Sequence, residues 1–280
     1  MSFNDISSNS ENSLRAYARA IEISASNLSQ STTKGGKRLV VSFDTMLSNA
    51  SNSRSSNGTT NYQEAPSVKT RVTIDFSQGK LTKSGSMDLA LKGQGFFMLS
   101  NDGGKNFIYT RNGNFEIRNG FVVDKSGRQL YGYKLNSSGI PDKSKLIPIR
   151  TYSPSTAGWQ YKGTKGILVD DYEASKNEGK SGNPVFQAAL INFNNKATLV
   201  QEDDTTFSQH SKFAMQLNPS IPGENGMALA HSGMLEEANI STIQETLNSS
   251  AYEKGMSAQL TIISTINKII QSLIQQLGNS

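Results

Sequence analysis

Two stretches at opposite ends of the chain carry helical periodicity, and the region between them alternates like β-structure. The longer stretch is 235–277, and from Met256 onward Lys268 is its only charge. Its apolar residues fall on two interleaved seams. One seam holds Ala258, Ile262, Ile266, Ile269 and Leu273; the other holds Met256, Leu260, Ile263, Ile270, Ile274 and Leu277, with steps of three, four or their sum. A helix with two seams needs at least two partners, and no other segment is long and periodic enough to supply several. The pattern therefore points to further copies of the same chain. Residues 8–29 form the second helical stretch, with Ser8 and Glu11 placed as a capping box and a narrow seam of Leu14, Ala18, Ile21, Ala25 and Leu28. The opposite face, with Arg15, Arg19 and Glu22, is wet.

Gly35 and Gly36 end this helix. A short apolar patch at 39–47 is followed by the polar run 48–63, which has too little apolar surface to order itself and reads as a linker or mobile loop. Val68, Thr70, Val72, Ile74 and Phe76 then alternate with Lys69, Arg71, Thr73 and Asp75, predicting a half-buried strand. Met87, Leu89 and Leu91 alternate in the same way, and 96–99 is an unbroken apolar strand. Turn signals at Gly103-Gly104, Asn112-Gly113, Asn119-Gly120 and Ser126-Gly127 divide the next stretch into short segments at 107–110, 115–118, 121–124 and 128–133, an antiparallel meander. Residues 136–184 read as loop-rich and anchored by Trp159 and Tyr161; 185–193 and 206–217 read as strands, and 218–227 as a return connection.

Composition adds three constraints. With 24 glycines, 9 tyrosines and 12 phenylalanines the chain suits β-structure joined by tight turns, and it contains no cysteine. The formal charge of +5 is scattered along the chain and forms no block, so no nucleic-acid partner is expected. The first twenty residues lack the basic and apolar regions of a cleaved signal peptide, which predicts either a cytoplasmic protein or one leaving the cell by another route. Catalytic constellations are missing. His210 and His231 do not share HExxH spacing, the adjacent acids Asp170-Asp171 and Asp203-Asp204 suit solvated turns, and Gly93-Gln94-Gly95 leads into an apolar strand and lacks a nucleotide-loop helix. No enzyme, cofactor or metal is expected. Nor is membrane insertion, since the apolar tail is interrupted by Ser, Thr, Gln and Asn and carries no basic face.

The residues resemble the bacterial flagellar hook and rod family of axial proteins. Asp88-Leu89-Ala90-Leu91-Lys92-Gly93-Gln94-Gly95-Phe96-Phe97 is similar to the family's DLAIxGxGFF signature, and Tyr109-Thr110-Arg111-Asn112-Gly113-Asn114-Phe115 to its YTRxGxF hairpin. The segment from Asn27 to Lys37 resembles NIANxxTxGFK, with departures at Gln30 and Gly36, and the segment from Gly233 to Ile240, with Asn239, resembles GxLExSNV. The terminal helix matches in part, with Met256 and Gln259 where Tyr and Asn are usual. Within the family, the run from Ser42 to Leu47 and the pair Gly132-Tyr133 lean towards hook protein, while the short chain leans towards distal rod protein.

The resemblance implies a structural subunit exported unfolded through the flagellar type III apparatus and contacting other rod and hook proteins. It also implies terminal helices stacked around a central channel and a β-domain forming the outer wall, with both tails disordered before assembly. The expected fold is α+β: amphipathic helices at the N- and C-termini form a coiled-coil-like inner layer, with a mainly antiparallel β-domain between them. The expected divisions are a helical assembly domain at 1–38 and 233–280, a linker at 39–66 and a β-rich outer domain at 67–232. The expected function is a self-assembling hook subunit, with a distal rod subunit as the alternative within the family. An extracellular adhesive or carbohydrate-binding β-module is the alternative of another class.

Overall fold

The computed structural model describes residues 3–46, 67–151, 158–171, 182–209 and 218–278. The fold is α+β, with two long helices and a mainly antiparallel β-region. The chain divides into two compact units, one made of Met1–Ser29, Leu39–Asp75 and Ser241–Ser280, the other of Gln30–Arg38 and Phe76–Ile240.

The first unit holds helix α1 (Phe3–Gln30), strands β1 (Arg38–Met46) and β2 (Ser67–Asp75), and helix α2 (Thr242–Gly278). α1 starts ahead of the expected capping box, so Ser8 and Glu11 lie inside the helix. The buried face of α1 also differs from the expected seam. Ala16, Ala20 and Ile23, with Ser10, Ser24, Asn27 and Gln30, are buried. Leu14, Ile21 and Leu28 are half-buried, while Ala18 and Ala25 are exposed. A hydrophobicity pattern passes over a face built from alanine, serine and an amide, although small side chains are what allow a close approach.

β1 and β2 form a two-stranded sheet, so the apolar patch expected at 39–47 is largely strand; the polar run 48–63 lies outside the described residues. Such a ribbon is marginal by itself and needs a packing surface. Phe43 supplies it, with its ring centroid 5.4 Å from Tyr17 on α1 and 5.8 Å from Tyr252 on α2. A Cβ at Gly255 would fall 2.5 Å from the Tyr17 ring. Glycine inside a helix costs about 0.8–1 kcal/mol relative to alanine, and here its missing side chain is the space that the tyrosine occupies.

α2 begins later than 235, at Thr242, where Ser241 caps it: its carbonyl accepts from the Glu245 N–H (3.0 Å) and its hydroxyl from the Gln244 N–H (3.4 Å). Met234–Glu236, expected as helix, is instead a strand paired with Leu81–Lys83. Gly233 enters it at φ +68°, a backbone angle glycine adopts freely, and beyond its end the Glu237 N–H donates to the Lys80 carbonyl (2.8 Å).

In the second unit every named strand pairing is antiparallel. A path of strands runs from Trp159–Lys162 through Ile167–Asp170, Asn183–Ala188, Gln129–Lys134, Phe96–Ser100, Ile108–Thr110 and Thr206–Gln209 to Leu199–Asp203. The return segment Leu229–Ser232 pairs with Leu89–Lys92. Phe96–Ser100 is buried on both faces, which explains its unbroken apolar run. Phe97 meets Phe115 edge-on at 5.2 Å, while Phe96 packs against Phe76, Phe193 and Phe207 at 5.5–6.0 Å. The half-exposed alternation expected around Met87 to Leu91 is absent, since Leu89, Ala90 and Leu91 are all buried. The region 136–184 also holds more strand than its polar sequence suggested, with Ile147–Pro148, Trp159–Lys162 and Ile167–Asp170 described within it. Residues 206–217 are strand only over Thr206–Gln209, and 210–217, with His210, lie outside the described residues.

Candidate assembly site

The motif residues converge on a buried ionic junction in the second unit. Glu236, 1% exposed, accepts at Oε1 from the Lys37 ammonium (2.7 Å) and the Gly79 N–H (2.9 Å). Its Oε2 lies 2.9 Å from both Nε and Nη2 of Arg111. Arg111 spends its remaining donors on the carbonyls of Gly93 (2.8 Å), Gly95 (2.7 Å) and Leu91 (3.2 Å). Lys37 also donates to the Ser77 carbonyl at 2.8 Å. One carboxylate thus ties together a segment near the N-terminus, the Gly93–Gly95 turn and the returning chain. Burial first, and then the charge of Arg111, hold the neighbouring Lys196 ammonium below its ordinary range.

The other motif positions support this junction. Gly93 and Gly95, at φ +118° and +134°, turn their carbonyls to Arg111. Asp88 closes the preceding turn, accepting from Ser84 Oγ (2.5 Å), the Gly85 N–H (2.8 Å) and Asn114 Nδ2 (3.0 Å). Asn239 accepts from the Arg38 N–H (2.8 Å) and donates to the Ser77 carbonyl (3.1 Å). Phe96, Phe97 and Phe115 fill the core, and Tyr109 stands edge-on to Phe193 at 4.8 Å, its hydroxyl pKa pushed up by burial. Gly132 is packed where a Cβ would fall 2.3 Å from the Gln187 carbonyl. At Gly113 a Cβ would stand 1.7 Å from the Leu89 carbonyl, backbone that cannot move aside. Gly113→Ala is therefore expected to destabilise the unit by about 3 kcal/mol or more. Urea unfolding followed by Trp159 fluorescence would measure it; an unchanged midpoint would contradict the close approach.

Asn27 belongs to the first unit. Its side chain clasps the backbone of Leu39 on β1, donating to the carbonyl and accepting from the N–H, each at 2.8 Å, and its amide also donates to Glu245 on α2 at 3.1 Å. The expected seam residues of α2 fall in two groups. Met256, Ile263, Ile266 and Ile270 are half-buried, while Ala258, Leu260, Ile262, Ile269, Leu273, Ile274 and Leu277 are exposed. An exposed aliphatic row on a helix with so few charges is unusual for a surface in permanent contact with water.

Among the described residues no group of His, Cys, Asp or Glu could hold a metal ion, and no helix is long and apolar enough to cross a membrane. A polar cleft of about 740 Å³ in the second unit is lined by Lys34, Asn112, Asp124, Arg128, Asp203 and Asp204 among others. Three of its charges pair with one another, Arg128 bridging Asp124 (2.7 Å) and Asp203 (2.8 Å). Burial would raise the Asp203 pKa, but bonds from Thr206, the Thr205 N–H and Arg128 outweigh it and hold the carboxyl below its usual range. Asp171 pairs with Lys162 at 2.9 Å.

Sequence reasoning missed Tyr17, Lys37, Glu236, Glu245 and Gly255 as contact residues. Lys37 and Glu236 sit inside the quoted motifs, but nothing in the spacing shows that positions 199 residues apart meet. The one local signal was an isolated glycine, Gly255, within a helical pattern.

The motif residues serve packing, and the long helix leaves apolar surface open. Residues 90–152 match the family model of the flagellar hook protein FlgE/F/G D1 domain. The chain is 23% identical over 270 residues to the flagellar basal-body rod protein FlgG of Bacillus subtilis, covering 93% of this chain and 94% of the relative. To FlgG of Buchnera aphidicola it is 25% identical, covering 90% and 92%. To the flagellar hook protein FlgE of Escherichia coli it is 31% identical over 146 residues, covering 51% of this chain and 33% of the relative. The chain is similar to flagellar rod proteins over most of its length and to flagellar hook proteins over about half of it.

Proposed function

We propose that this protein is a self-assembling structural subunit of the flagellar axial tube. In this reading α1 and α2 form a coiled-coil-like inner layer, and the β-rich unit forms the outer wall. The observation that carries it is the exposed apolar row of α2, Ile262, Ile269 and Leu273, on a helix with a single charge after Met256. A tube built by heterologous contacts needs two different faces on each subunit, and a helix with one face half-buried and another open provides them.

Two placements within the axis have support. The hook reading rests on the higher local identity to hook proteins, 31%, and on the run from Ser42 to Leu47. The distal rod reading rests on length, because the rod relatives match almost end to end whereas the hook match covers a third of its relative. Delivery through the flagellar export apparatus belongs to either reading. Electron microscopy of the concentrated protein should reveal tubes or filaments, and labelled subunits expressed in flagellated cells should localise to the hook or to the rod. A compact monomer that stays soluble when concentrated and binds a glycan would replace this reading with the adhesive one.

A further inference from the structure

We infer that α1 and α2 are held in one antiparallel register by a two-point lock, the Asn27–Glu245 hydrogen bond and the seat of Tyr17 on Gly255. The residue numbers add to 272 at both points, and the points are ten residues apart on each helix. Burial along the two helices obeys the same rule. From 245 to 263, the α2 positions that are not exposed are Glu245, Asn248, Ser249, Tyr252, Gly255, Met256, Gln259 and Ile263. Their counterparts under this rule are Asn27, Ser24, Ile23, Ala20, Tyr17, Ala16, Ser13 and Asn9, and not one of these is exposed. A pair slipped by one turn, with numbers adding to 276, would satisfy this burial pattern as well, so the two contacts themselves select the register. Neither point can drift, since Asn27 is also clasped to Leu39, and Phe43 packs against both Tyr17 and Tyr252.

The lock has a consequence that rests on the reading of the chain as an assembling subunit. Position 3, where α1 begins, comes level with position 269, so residues 270–278 of α2 extend about 13 Å beyond the pair. That extension contains no Asp, Glu, Lys or Arg and exposes Leu273 and Ile274. The occupant is a second copy, because the same chain presents a matching apolar surface elsewhere: the α1 row of Leu14, Ala18, Ile21, Ala25 and Leu28, nearly opposite the buried face and only half-covered or exposed. Two different open patches on one chain make a head-to-tail contact, and the lock sets how much of α2 is left to make it.

Because the chain has no cysteine, cross-linking tests the lock cleanly. In the full chain, Ser13→Cys with Gln259→Cys should join within one molecule through a short bismaleimide, and Ser13→Cys with Ile263→Cys, one turn out of register, should join at least tenfold less. Gly255→Leu should lower the in-register yield at least tenfold although leucine is the better helix former, and adding Tyr17→Ala should restore it. Trp159 fluorescence should stay unchanged throughout, since that residue lies in the other unit. Equal yields for both pairs, joining between molecules, or no effect of Gly255→Leu would overturn the lock. A chain ending at Ile269 should keep the cross-link and lose polymerisation; polymerisation at the full-length rate would overturn the role of the extension. If the full-length chain forms no polymer and enters no flagellum, the functional reading fails while the cross-linking result stands.

Discussion

Glu236→Gln is expected to destabilise the β-rich unit by about 3–5 kcal/mol, read as a lowered urea midpoint of Trp159 fluorescence. The glutamine keeps the shape of the side chain but removes the anion that joins two buried cations, Lys37 and Arg111. Neither cation can turn to water: the side chain of Lys37 is 0% exposed and that of Arg111 5%. Lys37→Met should cost less, because Glu236 would still be held by Arg111 and by the Gly79 N–H. The neighbouring Lys34–Glu237 pair is the control. It is 3.5 Å long with both side chains about two-fifths exposed, so Glu237→Gln should cost no more than about 1 kcal/mol. Equal effects at 236 and 237 would remove the junction from its place at the centre of this unit.

That junction also marks where the sequence stopped being legible. Local rules carried well wherever the cause was local. Asn119 and Gly120 sit at φ 53° and 75° in the hairpin joining Glu116–Arg118 to Phe121–Val123, as their turn chemistry requires. The alternation of 68–76 became β2, and the periodicity of the chain ends became two helices. What failed depended on partners distant in sequence. The strand at Leu89–Lys92 lost its expected wet face because Leu229–Ser232 returns beside it. The region 136–184 hid its strands because Trp159 and Tyr161 are buried by tertiary packing while Gln160 and Lys162 between them face out towards Asp171. The α1 seam was placed on Leu14, Ala18, Ile21, Ala25 and Leu28, whereas the helix buries Ala16, Ala20, Ile23, Ser24 and Asn27. Small side chains and a single amide make up the inward face of α1, and hydrophobicity alone ranks those residues low.

Ile269→Asp combined with Leu273→Asp should abolish assembly while leaving the β-rich unit folded. Both residues are exposed in the single chain, Ile269 at 46% and Leu273 at 43%, so a carboxylate at either position costs the monomer little. In an assembled tube the same carboxylates would be buried against the apolar α1 row of a neighbour, Leu14, Ala18, Ile21, Ala25 and Leu28, which itself offers no cation. The penalty for burying an unpaired charge is several kcal/mol per ion, repeated at every subunit contact. Such a cost exceeds the roughly 1.4 kcal/mol that corresponds to a tenfold change in a contact constant, and it multiplies along the lattice. Negative-stain microscopy should therefore find no tubes at concentrations where the parent chain polymerises, with the Trp159 unfolding curve superimposable on that of the parent. Ile269→Val with Leu273→Met should still assemble, since the row stays apolar and nearly the same volume. Tubes formed by the aspartate variant would mean that this row faces water in the assembly, and that the contact lies on the other face of α2.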